Sequence, residues 1–385
     1  MWITISILNI ILAYYAEQNY DSNKKKCKFF LASIIIANII IFGLRDIGVG
    51  TDTMLYIDQY FIYAYNVSGV YDLFLADANY DKGFLVLACL AHIIGNTSNS
   101  LLFLTEFLII FFIVVGMYKL KQSLKYSMTW FMVFFCILLQ HETINLMRQF
   151  CAMALLFFGY SFFLQKKYVI FLLCQIIAFY FHSSSVLFVT IPLAQLLSET
   201  NSKIKYIYIF VSIIVGFCFL FFYFNFLTHI ENLGLLKEVY FDTYGKGSHY
   251  ESSNIKVGLS TLIPYILLCI LIFFLYYNHY LSEQILYIFI FLFIMSFIFT
   301  MSSVFVMRYF FRIAYYMELI MIVYLSAIVI HNKQIIKALS LAYTISILFI
   351  IIRTFIWNYY GTETFKRNDN SLIYKSQILG IDESK

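Results

Sequence analysis

The chain reads as an all-α, polytopic membrane protein with about twelve transmembrane helices and two longer extracytoplasmic loops. Three observations carry that reading. Of its 385 residues, 62% are hydrophobic and 12% charged, where a soluble domain carries about a quarter charged. The apolar residues lie in long continuous runs, without the alternation of an outer-membrane barrel, so helices are left to satisfy the backbone in lipid. The polar segments between runs are short and basic on one side and long on the other.

In chain order the apolar runs fall near 2–16, 29–44, 100–118, 127–140, 146–165, 168–181, 184–198, 206–226, 257–277, 285–303, 310–330 and 338–357. The first lacks a basic leader and a small-residue cleavage site, so it reads as a retained helix rather than a signal peptide. An extra run, Gly83–Ile94, is too short to span comfortably and reads as re-entrant, interfacial, or part of a longer bent helix. The whole of 1–385 forms a single integral membrane domain, with outer loops at 45–82 and 227–256 and a polar tail at 358–385. The seven cysteines form no CxxC pair and lie mostly inside apolar runs, as small hydrophobes. No metal-ligand spacing is present; neither a cofactor nor a nucleic-acid partner is expected.

The basic loops Lys24–Lys28, Lys119–Lys125, Gln165–Lys167, Ser202–Lys205 and His331–Lys337 alternate correctly with these spans if they lie in the cytoplasm, which places both termini outside. Their thirteen basic residues are all lysine. The six arginines, Arg45, Arg148, Arg308, Arg312, Arg353 and Arg367, all fall on the outer side or at outer helix ends. Topology needs only positive charge; arginine adds a planar fork that grips phosphate bidentately.

Four polar clusters mark the outer face. The first, GLRDIGVGTDTMLYIDQYF at Gly43–Phe61, is followed by NYDKGF at Asn79–Phe84. Its glycines allow positive φ and close backbone approach, and exposed amides beside Arg45 could form an anion nest. The spacing fits neither a P-loop nor a dinucleotide fingerprint, and the plain reading is a helix C-cap and turn. In the second, QHETINLMRQF at Gln140–Phe150, a helix starting near Asn145 would aim Arg148 at the site from its first turn. The alternative there is an interfacial turn.

The third cluster, FYFHSSSVLF at Phe179–Phe188, sets His182 in an otherwise apolar hairpin. Such a histidine is costly at membrane depth without a partner, and its pKa suits proton transfer. Otherwise Ser183 to Ser185 cap the next helix and His182 only hydrogen-bonds. In the fourth, MRYFFRIAYY at Met307–Tyr316, Arg308 and Arg312 share one helical face, and a bound anion would relieve their repulsion. The neighbouring aromatics, Tyr309 and Tyr315 among them, read as an interface belt or as a stacking surface for sugars.

These clusters, in this order and topology, resemble the EpsG/Wzy group of bacterial polysaccharide polymerases over roughly residues 29 to 320. The likeness rests on GLRDIGVGTDTMLYIDQYF, supported by YDKGFLVLACL, NLMRQFCAMAL, FHSSSVLF and the late MRYFF; Asp81 stands where glutamate is expected. The resemblance implies a metal-independent glycosyltransferase that joins O-antigen or capsule repeat units carried on undecaprenyl pyrophosphate. It would act at the outer face of the bacterial inner membrane, among membrane lipids and with a chain-length regulator as partner. On that basis Arg148, Arg308 and Arg312 would hold pyrophosphate, and Arg45 would help bind it or orient Asp52. His182 or a carboxylate, Asp46, Asp52 or Asp81, would take the acceptor's proton. Tyr56, Tyr309 and Tyr315 would face the glycan. An O-antigen ligase shares the donor and differs only in acceptor. A lipid-linked oligosaccharide flippase would carry charge through the bundle interior instead.

Overall fold

A computed structural model of the chain describes residues 1–50, 52–67, 81–200, 203–204, 206–215, 259–278, 281–305 and 310–330, with scattered positions thereafter. The described chain is helical apart from two two-residue strands, Lys375–Ser376 paired antiparallel with Ile381–Asp382. Five described helices are long and apolar enough to cross a membrane: Lys24–Gly43, Ser98–Ser123, Met147–Leu164, Glu283–Ser303 and Phe310–Ile330. Other expected spans form shorter helices. The runs 127–140 and 168–181 give helices of 11 and 14 residues, and the run 184–198 divides into a 3-10 helix and an α-helix. The expected loop 227–256 lies outside the described residues.

The chain forms two compact units, one built on Met1–Leu187 and the other on Phe188–Leu325. In the first, α1 (Trp2–Gln18) and α2 (Lys24–Gly43) lead into α3, which runs over Thr53–Tyr56, a π turn at Ile57–Phe61, and Ile62–Ala64. Then come α4 (Lys82–Ile94), α5 (Ser98–Ser123), α6 (Met128–Leu138), the short α7 (Glu142–Asn145), α8 (Met147–Leu164) and α9 (Tyr168–Phe181). The 3-10 turn Ser183–Val189 closes this series. In the second unit, α10 (Thr190–Ser198), α11 (Tyr206–Val215), α12 (Leu259–Tyr277), α13 (Glu283–Phe305) and α14 (Phe310–Ile330) are described.

Helix α8 is the post of the first unit, with 83% of its residues buried. Its neighbours approach it through small residues, as helices packed in lipid do. A Cβ on Gly116 of α5 would lie 2.6 Å from the Phe157 ring, and one on Gly159 of α8 would lie 2.8 Å from the Cys174 Cβ of α9. On α9 the exposed Val169, Leu172, Leu173 and Ile176 make an apolar stripe at helical spacing, as do Ile3, Ile7 and Ile11 on α1. Stripes of that kind suit a lipid-facing surface.

Polar residues collect at the two ends of this unit. At one end Lys24 to Lys28, expected as loop, instead begin α2, whose N-cap Asn23 accepts from Lys26 N at 3.0 Å. Here Glu17, from α1, takes hydrogen bonds from Thr129 Oγ1 (2.6 Å), Ser127 Oγ (2.7 Å) and Thr129 N (3.1 Å), and pairs with Lys121 at 3.1 Å. Glu17 thus caps α6 from a neighbouring helix, placing a carboxylate where a helix N-terminus favours one. Between the ends, Asn9 and Asn38 exchange reciprocal amide bonds of 3.2 and 2.8 Å, and Gln140 donates to Asn38 Oδ1 at 3.0 Å. Buried amides in an apolar bundle need such partners.

Glu17→Ala leaves α6 with the Ser127 side chain as its only cap and Lys121 without its counter-charge. Its unfolding in detergent should be about 2 kcal/mol easier than that of the parent chain, whereas Thr129→Ala costs less.

Candidate functional site

At the other end of the first unit, α2 stops at Gly43, where a Cβ would come 2.9 Å from the Phe103 Cα of α5. The chain turns at Arg45, which is 1% exposed. Its Nη1 donates to Phe42 O at 2.5 Å, closing the last turn of α2, and its Nη2 lies 3.3 Å from Met147 Sδ. Its carbonyl accepts from Asn99 Nδ2 at 3.0 Å. Arg45, expected on a phosphate or orienting Asp52, is buried, and two of its donors bridge the end of α2 and the first turn of α8.

The glycine turn packs directly on the second cluster. Gly50 adopts φ +101, and a Cβ there would lie 2.6 Å from Ile144 Cγ2 and 3.2 Å from Asn145 Oδ1. Only glycine suits both that φ and that approach. Thr53 Oγ1 donates to Val49 O at 2.9 Å and fixes the start of α3. Asp46 and Asp52 are half-buried on this segment, their carbonyls accepting from Val49 N (3.0 Å) and Tyr56 N (3.1 Å). The expected outer loop 45–82 therefore carries a helix, α3, over Thr53–Ala64.

Arg148 occupies the first turn of α8, as its spacing implied. Its Nη1 donates to Asp81 Oδ2 and to Tyr60 Oη, both at 2.6 Å. Its guanidinium carbon lies 5.2 Å from the ring centroids of both Tyr56 and Tyr60, within cation–π range. Arg148 and Asp81 remain 25% and 23% exposed, so a solute can reach the pair. Arg148 Nε has no hydrogen-bond partner although it is buried. A guanidinium donor left in that state favours an acceptor brought by a ligand.

Asp81 heads α4 and takes Tyr60 Oη as the acceptor for its own N–H at 3.2 Å. Burial pushes its carboxyl above the ordinary value, and the Arg148 charge and hydrogen bond pull it part of the way back. Burial likewise raises the Tyr60 phenol, which stays neutral as a hydrogen-bonding group. Tyr56, expected against glycan, is 3% exposed and packs on Phe84 at 5.6 Å. Its ring lies against the Arg148 guanidinium.

The third cluster is drawn in by Gly83, where a Cβ would meet the backbone of Tyr180 and Phe181 at 3.0 Å. That contact sets the first turn of α4, with Asp81 at its head, against the end of α9 that leads into His182. His182 is half-buried, and its Nδ1 accepts from Ser184 N at 3.3 Å. The histidine thus caps the 3-10 turn, a role expected of the serines. In the neutral ring this acceptor Nδ1 leaves the proton on Nε2, which suits donation better than proton abstraction.

Of the fourth cluster, Arg308 and Tyr309 lie outside the described residues. Arg312 and Tyr315 are half-buried on α14 in the second unit, both against Phe311, at 6.0 Å for the guanidinium carbon and 5.7 Å between rings. Sequence reasoning missed Tyr60, although its place four residues after Tyr56 puts both rings on one helical face. It also passed over Asn99 and Met147, which announce themselves by no motif.

Three of the four clusters thus meet at one end of one unit. The family profile for the EpsG family matches residues 28–376. The chain belongs to the EpsG family. No curated protein and no solved structure matches it. As a family member with these apolar helices it is a membrane-embedded, polysaccharide-polymerase-like protein. The match takes in Arg45, Asp81, Arg148 and His182 together with Arg312.

Gly83→Ala forces α4 away from α9 and shifts Asp81 relative to His182. Family activity, read as polysaccharide made per unit of expressed protein, should fall roughly ten- to a hundredfold while expression in the membrane persists.

Proposed function

We propose that the protein is a glycosyltransferase that polymerises O-antigen or capsule repeat units linked to undecaprenyl pyrophosphate, at the outer face of the bacterial inner membrane. The observation that carries this reading is the Arg148–Asp81–Tyr60 group, partly exposed at a helix end, with the Arg148 Nε donor lacking a partner. Family membership supplies the polysaccharide context.

In this reading Arg148 takes up the pyrophosphate of the donor glycan, and phosphate displaces Asp81 from the guanidinium. The acceptor's hydroxyl attacks the anomeric carbon of the donor's first sugar, the bond to the phosphate oxygen breaks, and lipid pyrophosphate departs. Arg148 stabilises the charge that develops on that leaving group, the role expected also of Arg308 and Arg312. The released Asp81 accepts the hydroxyl proton, aided by a burial-raised pKa. Asp46 and Asp52 hold the turn, and His182 donates from Nε2 to sugar or phosphate. Tyr315, with Tyr309, contacts glycan; a chain-length regulator acts as partner.

A ligase would use the same donor site, and genetics separates the two. Deleting the gene in a host that makes the polymer should leave a single repeat unit on the lipid acceptor; loss of every repeat unit would favour ligase or flippase. Arg148→Lys keeps the charge but loses the fork, so polymer should fall at least tenfold; a full-length ladder would sink the proposal.

The acid limb of the rate should lie above the usual carboxylate range, because Asp81 must be ionised to act as base and its folded pKa is raised. The same shift means that this carboxyl favours the folded state most at low pH, and that the benefit is lost as pH rises through the folded value. Asp81→Asn should abolish the limb and lower the rate by roughly a hundredfold or more.

A further inference from the structure

The α3 segment contains one irregular turn. Ile57–Phe61 form a π turn, wider than the α-helical stretches on either side. Such turns are rare and recur at functional sites. This one delivers Tyr60 to Arg148. Its last residue, Phe61, is held by a side chain that the proposed chemistry leaves unused: His92, in the last turn of α4.

His92 holds Phe61 in two ways. Its Nε2 lies 2.7 Å from Phe61 O, and its ring stacks on the Phe61 ring, with centroids 3.9 Å apart and planes 14° from parallel. A carbonyl oxygen only accepts, so Nε2 carries a proton and donates it to that bond. The helix tightens as it ends, which frees this carbonyl. Tyr65 N, the amide that would close an α turn on Phe61 O, bonds Ile62 O at 3.3 Å instead, and Asn66 N bonds Tyr63 O at 3.0 Å. The other ring nitrogen, Nδ1, lies 2.7 Å from Asn96 Oδ1, just past the end of α4. A side-chain amide offers a donor to the neutral ring and an acceptor to the charged one, so Nε2 keeps its bond to Phe61 O in either state.

Helix α4 thus grips two successive residues of the π turn from its two ends. Its head holds Tyr60: Asp81 N donates to Tyr60 Oη at 3.2 Å, and the Tyr60 ring stands edge-on to Phe84 at 5.1 Å. Its tail holds Phe61 through His92. We propose that His92 is a positioning residue, which locks the π turn from the far end of α4 and so fixes Tyr60 against Arg148. His92 acts through Tyr60 and not on the substrate. This inference rests on the anion-site reading only for what Arg148 binds; the lock on Tyr60 does not.

The test uses the full chain in nanodiscs, with a fluorinated tyrosine at position 60 read by fluorine NMR. His92→Phe keeps a ring for stacking and removes the donor, so it should move or split the parent's resonance. His92→Gln places an amide N–H near the Nε2 position and should hold the parent's resonance. An unmoved resonance in His92→Phe would overturn the lock. So would a displaced one in His92→Gln, which decides the matter if His92→Phe fails to fold. Polymer made per unit of expressed protein should fall about tenfold in His92→Phe and stay within about threefold of the parent in His92→Gln. In a Tyr60→Phe background, His92→Phe should cost less than about twofold, because the hydroxyl it positions is gone. Equal costs in the two backgrounds would mark a role in folding alone and overturn the positioning.

Inorganic pyrophosphate then serves as the binding probe. His92→Phe should weaken its binding about tenfold, and binding as tight as the parent's would overturn the link from His92 to Arg148. A parent chain that binds no pyrophosphate would overturn the anion-site reading, while the Tyr60 resonance still decides the lock.

Discussion

Arg148 is held by an acid, by a phenol oxygen and by two aromatic faces at once, and the rest of the first unit is arranged so that these groups can meet. In an apolar bundle a charge finds its partners within the protein or not at all. Asp81 comes from the head of α4, Tyr60 and Tyr56 from the α3 segment, and the arginine itself from α8. Bringing three separate stretches to one point requires their backbones to approach closely. Gly50 against Ile144 and Gly83 against Tyr180 and Phe181 are where that approach occurs. The glycines do not hold a ligand; they remove the side chains that would keep the ligand-facing groups apart.

The opposite end obeys the same constraint with different chemistry. Glu17 joins the ends of α1, α5 and α6 through one carboxylate, and its partners are a lysine, two hydroxyls and backbone amides. None of these demands planar geometry. At the site end the partners of Arg148 do: a guanidinium can lie near two aromatic rings while keeping hydrogen-bond donors in its own plane for an acid and a phenol. The division of lysine from arginine seen in the sequence thus acquires a geometric sense, at least for Arg148. Arg45 is the exception that separates burial from binding, since its fork serves a carbonyl and a thioether beneath the surface.

Much of this was legible in the sequence because it is local. Continuous apolar runs gave the helices, and the position of Arg148 just inside such a run placed it in a first turn. The α3 segment was read as loop because its apolar positions are interrupted by Asp58 and Gln59, which are exposed in the fold. The short α6 and α9 were read as full spans because composition measures apolarity and not where a helix is capped. Glu17 caps α6 across more than a hundred residues of sequence, a signal no window contains. Burial was least legible. Arg45 and Tyr56 look like site residues in a polar motif, yet they form the layer on which the site rests.

That layering bears on how the EpsG motif is to be read. A polar motif at a membrane helix end invites each charged residue in it to be assigned to the ligand. Here the motif divides by depth. Arg45, Gly50, Thr53 and Tyr56 are buried and bind protein, whereas Asp81 and Arg148 keep about a quarter of their side chains exposed and face outward as a pair. Substitution in the buried layer therefore acts first on the geometry of the exposed layer. Loss of activity at Arg45 does not by itself identify a phosphate ligand. What distinguishes the layers is whether the defect is coupled to the loss of a protein partner, because a buried group acts through its partners in the chain, whereas a contact to substrate has no partner within the chain to remove.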